Sequence, residues 1–169
     1  MNEAPGPDLV EVRIEQLPLE VYRSAAEHSD ELLREFALIK ERDVDEGRSV
    51  PRRLLALVAE LGERFSAFST EQTMRLESAL ERGESALDLV YRVPPEARQA
   101  TIELDAMLDE ADRFCREGKE LLTLATPPAA LAFRRWFLEE FVRQIDGEPP
   151  LPWPDYCRRE GLAVEDGGS

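Results

Sequence analysis

Four prolines, each followed at helix length by a glycine, are the feature that most limits the fold of this chain. The pairs are Pro18 and Gly47, Pro51 and Gly83, Pro95 and Gly118, and Pro127 and Gly147. Proline is favoured in the first turn of a helix and glycine just past its end. Apolar residues recur at three- and four-residue spacing between these markers, as in an amphipathic helix. The sequence therefore predicts a mainly α protein, a four-helix bundle.

The second helical segment is too long to be one straight rod in such a bundle. Residues 51–82 would span about 48 Å at 1.5 Å per residue, longer than the other segments. Their apolar stripe has a regular spacing of four and three as far as Phe68, and Ser69 and Gln72 then form a candidate capping box. We expect a break near residues 66–70, which would make five helices.

Two short segments have the composition of strands. Residues 9–15 alternate apolar and polar side chains, and residues 86–93 are rich in β-branched and aromatic side chains before Pro94 and Pro95 end them. Two interpretations remain for residues 86–93. They form a two-stranded ribbon with residues 9–15, or they are an extended crossover without a partner strand.

The length of 169 residues fits one domain. Residues 1–8 contain proline, glycine and charge, and we expect them to be disordered. The bundle is predicted over residues 9–147. Residues 148–169 are predicted to be a proline-rich strap, pinned to the domain by its aromatic residues, followed by a disordered tail.

The net charge of −15 excludes whole classes of partner. Nucleic-acid binding depends on neutralising phosphates, and anionic membrane surfaces attract basic segments. No apolar run approaches the length of about 20 residues that crosses a membrane. Cys115 and Cys157 have no CxxC partner. We expect a cytoplasmic protein without a disulfide or cofactor, either monomer or homodimer.

His28 is the single histidine and the one candidate for catalytic chemistry. Carboxylates nearby on the same helix could orient its ring, which suggests histidine phosphotransfer as an alternative function. A carboxylate-bridged di-metal site needs two Glu-x-x-His pairs, and Ala25 stands three residues before His28. Asp105, Asp109 and Asp112 share one side of a helix, but a solvated charged face is the simpler interpretation. No metal site is predicted.

The helix after Pro127 carries the candidate partner-binding residues. Arg134 falls in the middle of the apolar arc, so its charge must pair with a facing helix, reach solvent or meet a ligand. Arg135 and Trp136 fall outside that arc. With Arg134 they form an Arg-Arg-Trp triplet, residue types enriched in interface hot spots. The competing interpretation is that Trp136 packs on the strap through Trp153.

Three stretches of the chain together carry a resemblance. They are LPLEVYRSAAEHSDELLREFALI, VPPEARQATIELDAMLDEADRFC, and LLTLATPPAALAFRRWFLEEFVRQIDG with the later PWP. They resemble small all-helical actinobacterial proteins of uncharacterised function, which are associated with partner-switching regulators (anti-sigma ATPases, their antagonists and phosphatases). The resemblance implies a bacterial regulatory or adaptor protein, not an enzyme, that binds a protein partner such as one of these regulators. A bundle that senses a small apolar ligand is a further alternative.

Overall fold

The computed structural model describes residues 8–42, 49–118 and 124–163. In chain order the elements are strand β1 (Val10–Pro18), helices α1 (Leu19–Arg42), α2 (Val50–Phe65) and α3 (Thr70–Glu81), strand β2 (Ala86–Val93), and helices α4 (Ala97–Glu117), α5 (Pro128–Ile145) and α6 (Trp153–Glu160). This is a mainly α fold with a small antiparallel ribbon, and it confirms the predicted fold class. The loop around Gly47 lies outside the described residues.

Four long helices form the bundle. α1 packs against α2 and α5, and α4 packs against the same two helices, so α1 faces α4 across the bundle. Ser49 caps the start of α2, where its hydroxyl oxygen accepts a hydrogen bond from the Arg52 N–H, and Pro51 follows in the first turn. Gly83 and Gly147 follow α3 and α5 with φ of 69° and 93°, a conformation that glycine adopts without strain.

The predicted break in the second helical segment is confirmed. A 3-10 turn at Ser66–Phe68 separates α2 from α3. The predicted capping box is wrong, because the Ser69 hydroxyl donates to the Ser66 carbonyl and makes no cap to α3. The Gln72 amide nitrogen instead donates to the Val90 carbonyl of β2, at 2.7 Å. The break thus lets α3 turn towards the ribbon.

The ribbon interpretation of residues 86–93 is confirmed. β1 and β2 pair antiparallel, with Val10 opposite Val93 and Val12 opposite Tyr91. β1 extends beyond the predicted residue 15, and the register shifts between Ile14 and Leu17. Gln16 lies in that irregularity with φ of 55°, and its N–H donates to the Asp88 carboxylate at 2.7 Å. One face of the ribbon is buried and the other carries charged side chains.

The buried apolar residues form two clusters. Cluster one joins the inner face of the ribbon to α3, α5 and α6, with members such as Ile14, Tyr91 and Trp136. Cluster two lies between α1, α2 and α4, with Phe36, Leu54 and Ala111 at its centre. A domain usually has one contiguous core with smaller satellite clusters, and cluster two is the smaller of the pair.

The segment after Gly147 differs in part from the prediction. Residues 148–152, named the strap below, have no regular secondary structure, and α6 follows at Trp153–Glu160, where an extended strap and then a disordered tail were predicted. The sequence of this segment suits a short helix. Pro154 lies in the first turn, Arg158 and Arg159 lie in the last turn, and Gly161 is at the C-cap. Its Tyr156 and Cys157 are buried, so packing stabilises it. Residues 164–169, like residues 1–7, lie outside the described part.

Gln144 joins α5 to the edge of β1. Its side-chain oxygen accepts from the Arg13 N–H at 2.8 Å, and its nitrogen donates to the Arg13 carbonyl at 2.7 Å. The same nitrogen also donates to the buried Glu140 carboxylate at 2.8 Å. The amide therefore pairs with β1 as a neighbouring strand would.

Gln144→Ala should lower the free energy of unfolding by about 1–3 kcal/mol, because it leaves the polar groups of Arg13 and Glu140 short of partners. Urea denaturation followed by far-UV circular dichroism measures the change. Gln99→Ala is the matched control, since the exposed Gln99 bonds, among the described residues, to Glu103 on its own helix alone, at 3.4 Å. Equal stability of the two variants would contradict the role of Gln144.

Candidate functional site

Trp136 is a core residue, and the prediction that it lies on an exposed flank is wrong. Its side chain is 0% exposed, and its indole N–H donates to the Leu151 carbonyl at 2.8 Å. The Trp153 ring packs against it with centroids 5.4 Å apart. The strap and α6 cover Trp136 on this side of α5, through Leu151 and Trp153. The competing interpretation, packing through Trp153, is the one that the structure bears out.

Arg134 makes the expected salt bridge to a facing helix. Its guanidinium donates to Asp109 of α4, and its Nε lies 3.6 Å from the Asp105 carboxylate. Burial raises the pKa of the Asp105 carboxyl, and the charge of Asp109 acts in the same direction, against the opposite effect of Arg134. Arg134 is therefore a paired charge at the boundary of the bundle, with 14% of its side chain exposed.

Arg135 is the one member of the predicted partner-binding set whose side chain is mainly in solvent. It is 54% exposed and lies 3.5 Å from Asp109. Trp153 is half-buried, and its ring stacks on Tyr156 of α6 with centroids 5.8 Å apart. The four residues are thus close together around α5 and α6, but Trp136 is removed from any surface that they form.

His28 lies on α1 at the margin of the bundle. Its Nε2 is buried and has no hydrogen-bond partner among the residues that the structure describes. The neighbouring Glu27 pairs with Arg23, at 3.4 Å, and no described carboxylate orients the imidazole. The arrangement expected of an activated phosphotransfer histidine is therefore not present around Nε2 in this conformation.

Two adjoining clefts open between the helices. The first, here named the histidine cleft, lies between α1, α4 and α5, and has a volume of about 210 Å³. Its walls are mostly apolar and include Tyr22, Leu32, Leu108 and Phe133, with His28 among them. Because these residues come from both core clusters or pack against them, the cleft lies where the two clusters separate.

The second, here named the aromatic cleft, has a volume of about 390 Å³. It lies between the end of α2, the 3-10 turn, β2, α4 and α5. Aromatic rings dominate its walls: Phe65, Phe68, Tyr91, Phe137 and Phe141. Phe137 and Leu104 line both clefts, so their side chains form the partition between them. The apolar arc predicted for this helix gives no indication that Phe137 separates two spaces.

The remaining nucleophile and metal candidates make no site in the described ranges. Cys115 and Cys157 are free and buried, and burial raises the pKa of both thiols, that of Cys115 to about 11. Both are therefore protonated at neutral pH. No group of three or more His, Cys, Asp and Glu side chains within residues 8–42, 49–118 and 124–163 could hold a metal ion. No described helix is long and apolar enough to cross a membrane.

No family model matches the chain, and searches found no significant similarity to a curated protein or to a solved structure. The resemblance to proteins associated with partner-switching regulators therefore stays a prediction.

Trp136→Ala should lower the free energy of unfolding by about 3–5 kcal/mol, because it removes a fully buried ring and its hydrogen bond. Arg135→Ala, the neighbouring exposed control, should stay within about 0.5 kcal/mol of the parent protein. Urea denaturation monitored by far-UV circular dichroism separates the two. A Trp136→Ala variant as stable as Arg135→Ala would mean that Trp136 is not part of the core.

Proposed function

We propose that this protein is a non-enzymatic regulatory protein that senses a small apolar molecule bound between the helices of its bundle. The observation that carries the proposal is a pair of adjoining, mostly apolar clefts: the histidine cleft between the two core clusters, and the aromatic cleft against cluster one. A ligand in either cleft would add apolar contacts that the bundle alone lacks, and one in the histidine cleft would contact both clusters. Binding and stability would then be linked, since a ligand that prefers the folded state stabilises it.

The size and lining of the aromatic cleft support a small-molecule ligand. Ligand sites in proteins are concave, mostly apolar and about 300–1,000 Å³ in volume, with few polar groups. An apolar cavity of about 150 Å³ already binds benzene. The aromatic cleft, at about 390 Å³, exceeds that volume, and the hydroxyl groups of Ser66, Ser69 and Thr101 are among its few polar groups.

The aromatic cleft lies where ligand binding would affect the arrangement of two helices, α2 and α3. Phe65 and Phe68 flank the break between α2 and α3, with ring centroids 6.5 Å apart. A ligand that contacts both rings would stabilise this conformation of the break relative to conformations in which the two rings are further apart. Ligands shift a conformational equilibrium only through such a difference in affinity. The orientation of α3 on the ribbon would then report occupancy.

The resemblance to proteins found with partner-switching regulators supports a regulatory role and a protein as the receiver of the signal. Among the residues predicted to bind that partner, Arg135 is the one whose side chain is mainly in solvent. The sensing proposal does not depend on the identity of the partner.

Toluene is a suitable first probe for the clefts. At about ten times its Kd it should raise the Tm by roughly 3–6 °C, because it binds the folded state alone. Differential scanning calorimetry over a toluene series, with isothermal titration calorimetry at 25 °C, measures the effect. A Tm that does not change across the series would contradict an apolar ligand site.

Gly62 offers a matched pair of variants for this test. It lies in α2 and lines the aromatic cleft, and a Cβ atom added there would meet no other atom within 4 Å. Gly62→Ala and Gly62→Leu should each stabilise the helix by about 0.5–1 kcal/mol. Gly62→Leu should in addition fill part of the cleft and weaken toluene binding at least severalfold. Equal toluene affinity in the two variants would place the ligand outside the aromatic cleft.

A further inference from the structure

The rings that line the aromatic cleft belong to two separate groups. Tyr91, Phe137 and Phe141, here named the aromatic trio, contact one another with ring centroids 5.2 to 6.0 Å apart. Phe65 and Phe68, here named the phenylalanine pair, have centroids 6.5 Å apart. Among the described residues no ring contact joins the pair to the trio. Because both groups line the cleft, its open space lies between them.

The geometry within each group favours a further aromatic ring. Tyr91 stands nearly perpendicular to Phe137, at an interplanar angle of 87°, and the rings of the phenylalanine pair are tilted by 47°. Aromatic rings prefer edge-to-face and offset arrangements, which add to the free energy that burial of area alone contributes. A planar aromatic ring placed between the groups would extend these contacts to both, whereas a puckered saturated ring would not.

The α4 side of the cleft leaves room for such a ring. Ala97, Ala100 and Thr101 line it at a spacing of three and four residues, so these short side chains share one face of the helix. The cleft volume of about 390 Å³ is more than twice that of a cavity of about 150 Å³ that binds benzene. Two fused rings therefore fit, whereas the histidine cleft, at about 210 Å³, is closer to the size of one ring.

The charges around the aromatic cleft favour an uncharged ligand. No charged side chain lines it in the described part of the chain, so a charged group would lose water there without gaining an opposite charge. Arg64 lies over the Phe65 ring, with its guanidinium carbon 4.9 Å from the ring centroid, and would repel a cation bound against that ring. The net charge of −15 disfavours an anion.

We propose that the aromatic cleft binds an uncharged planar molecule of two fused aromatic rings, held between the phenylalanine pair and the aromatic trio. The inference rests on the proposed function and specifies the ligand class for one of the two clefts. A small uncharged polar substituent on the rings is compatible with the hydroxyl groups of Ser66 and Ser69 in the lining.

The test compares 2-naphthol with decahydro-2-naphthol by isothermal titration calorimetry on the full chain. The two probes share a carbon skeleton and a hydroxyl group, and both are uncharged at neutral pH. The saturated probe has the larger apolar surface, so burial of area alone would give it equal or tighter binding. Contacts with the rings should instead make 2-naphthol bind at least about threefold more tightly, the value of one aromatic pair. Decahydro-2-naphthol that binds equally or more tightly would overturn the aromatic class.

Charged analogues test the absence of charge on the ligand. Sodium 2-naphthoate carries the same rings with a negative group, and 2-naphthylmethylammonium chloride carries them with a positive group. Each should bind at least about tenfold more weakly than 2-naphthol, because its charge loses water without gaining a partner. Either ion binding as tightly as 2-naphthol would overturn the uncharged class.

Phe68→Leu tests the contact with the rings. Phe68 is half-buried and its ring contact within the described residues is to Phe65 alone, so the variant keeps an apolar side chain there and leaves the aromatic trio intact. The ratio of the 2-naphthol affinity to the decahydro-2-naphthol affinity should fall about threefold to tenfold. This ratio does not depend on the fraction of the protein that is folded. A ratio equal to that of the parent protein would overturn the role of the phenylalanine pair.

Phe114→Leu is the matched control for Phe68→Leu. Phe114 is also half-buried, and its ring contact within the described residues is to Phe36 alone, but it lines neither cleft. Its affinity ratio should equal that of the parent protein. A ratio that falls as far as in Phe68→Leu would mean that the preference does not arise from the rings of the cleft.

The outcomes separate the two proposals. Equal binding of the two naphthols, with a Tm that toluene still raises, would overturn the aromatic class and leave the apolar site standing. Binding of neither naphthol, with no effect of toluene, would overturn both proposals. A preference for 2-naphthol that falls in Phe68→Leu and is retained in Phe114→Leu would support the assignment.

Discussion

The C-terminal half of the structure depends on the polar contacts of one buried carboxylate, that of Glu140. A carboxylate that is only 1% exposed must have its oxygens paired, since an unpaired buried charge costs several kcal/mol. Arg143 and Gln144 supply partners from α5 itself, and the Leu151 N–H donates from the strap at 2.9 Å. One side chain therefore joins a helix to the segment that follows it.

Leu151 receives a second bond from the same helix. Its carbonyl accepts from Trp136, one turn before Glu140 on α5, while its N–H donates to Glu140. Both polar backbone groups of one strap residue are thus paired with α5 side chains. That pairing fixes the strap along the helix, places Trp153 over Trp136, and lets α6 begin where its first ring is already packed. The strap is part of the core architecture and not a free peptide.

Features that depend on local spacing could be predicted from the sequence. The four prolines, the four glycines and the apolar stripes predict the bundle, and the excessive length of residues 51–82 predicts the break at Ser66–Phe68. Alternation at residues 9–15 and the β-branched and aromatic content of residues 86–93 predict two extended segments, whose pairing the sequence left open and the structure shows. Each of these signals is contained in a window of a few turns, where the periodicity of a helix or strand is directly visible.

Features that depend on distant residues could not be predicted. A helical wheel of α5 correctly identifies Arg134 as a charge within the packing face, but it assigns Trp136 to solvent. The wheel does not include the strap and α6, which cover that side. The clefts also depend on residues that are distant in the chain. Residues of α1, α2, α4 and β2 come together around Phe137, and this arrangement is what makes Phe137 separate the two clefts. The unpaired nitrogen of His28 has no counterpart in sequence.

The long-range bond between Arg13 and Gln144 has a consequence for the order in which the chain folds. The two residues are separated by 131 positions, whereas cluster two is built mainly from α1, α2 and α4, which precede α5 in the chain. Contacts of such separation form late, because the loop between them must first close. During synthesis the part of the β1 face that α5 covers therefore stays open until α5 emerges, whereas α3 and β2 are already present. The alternating Glu11, Arg13 and Glu15 place charge on the opposite face of the strand, which protects the nascent chain against edge-to-edge association.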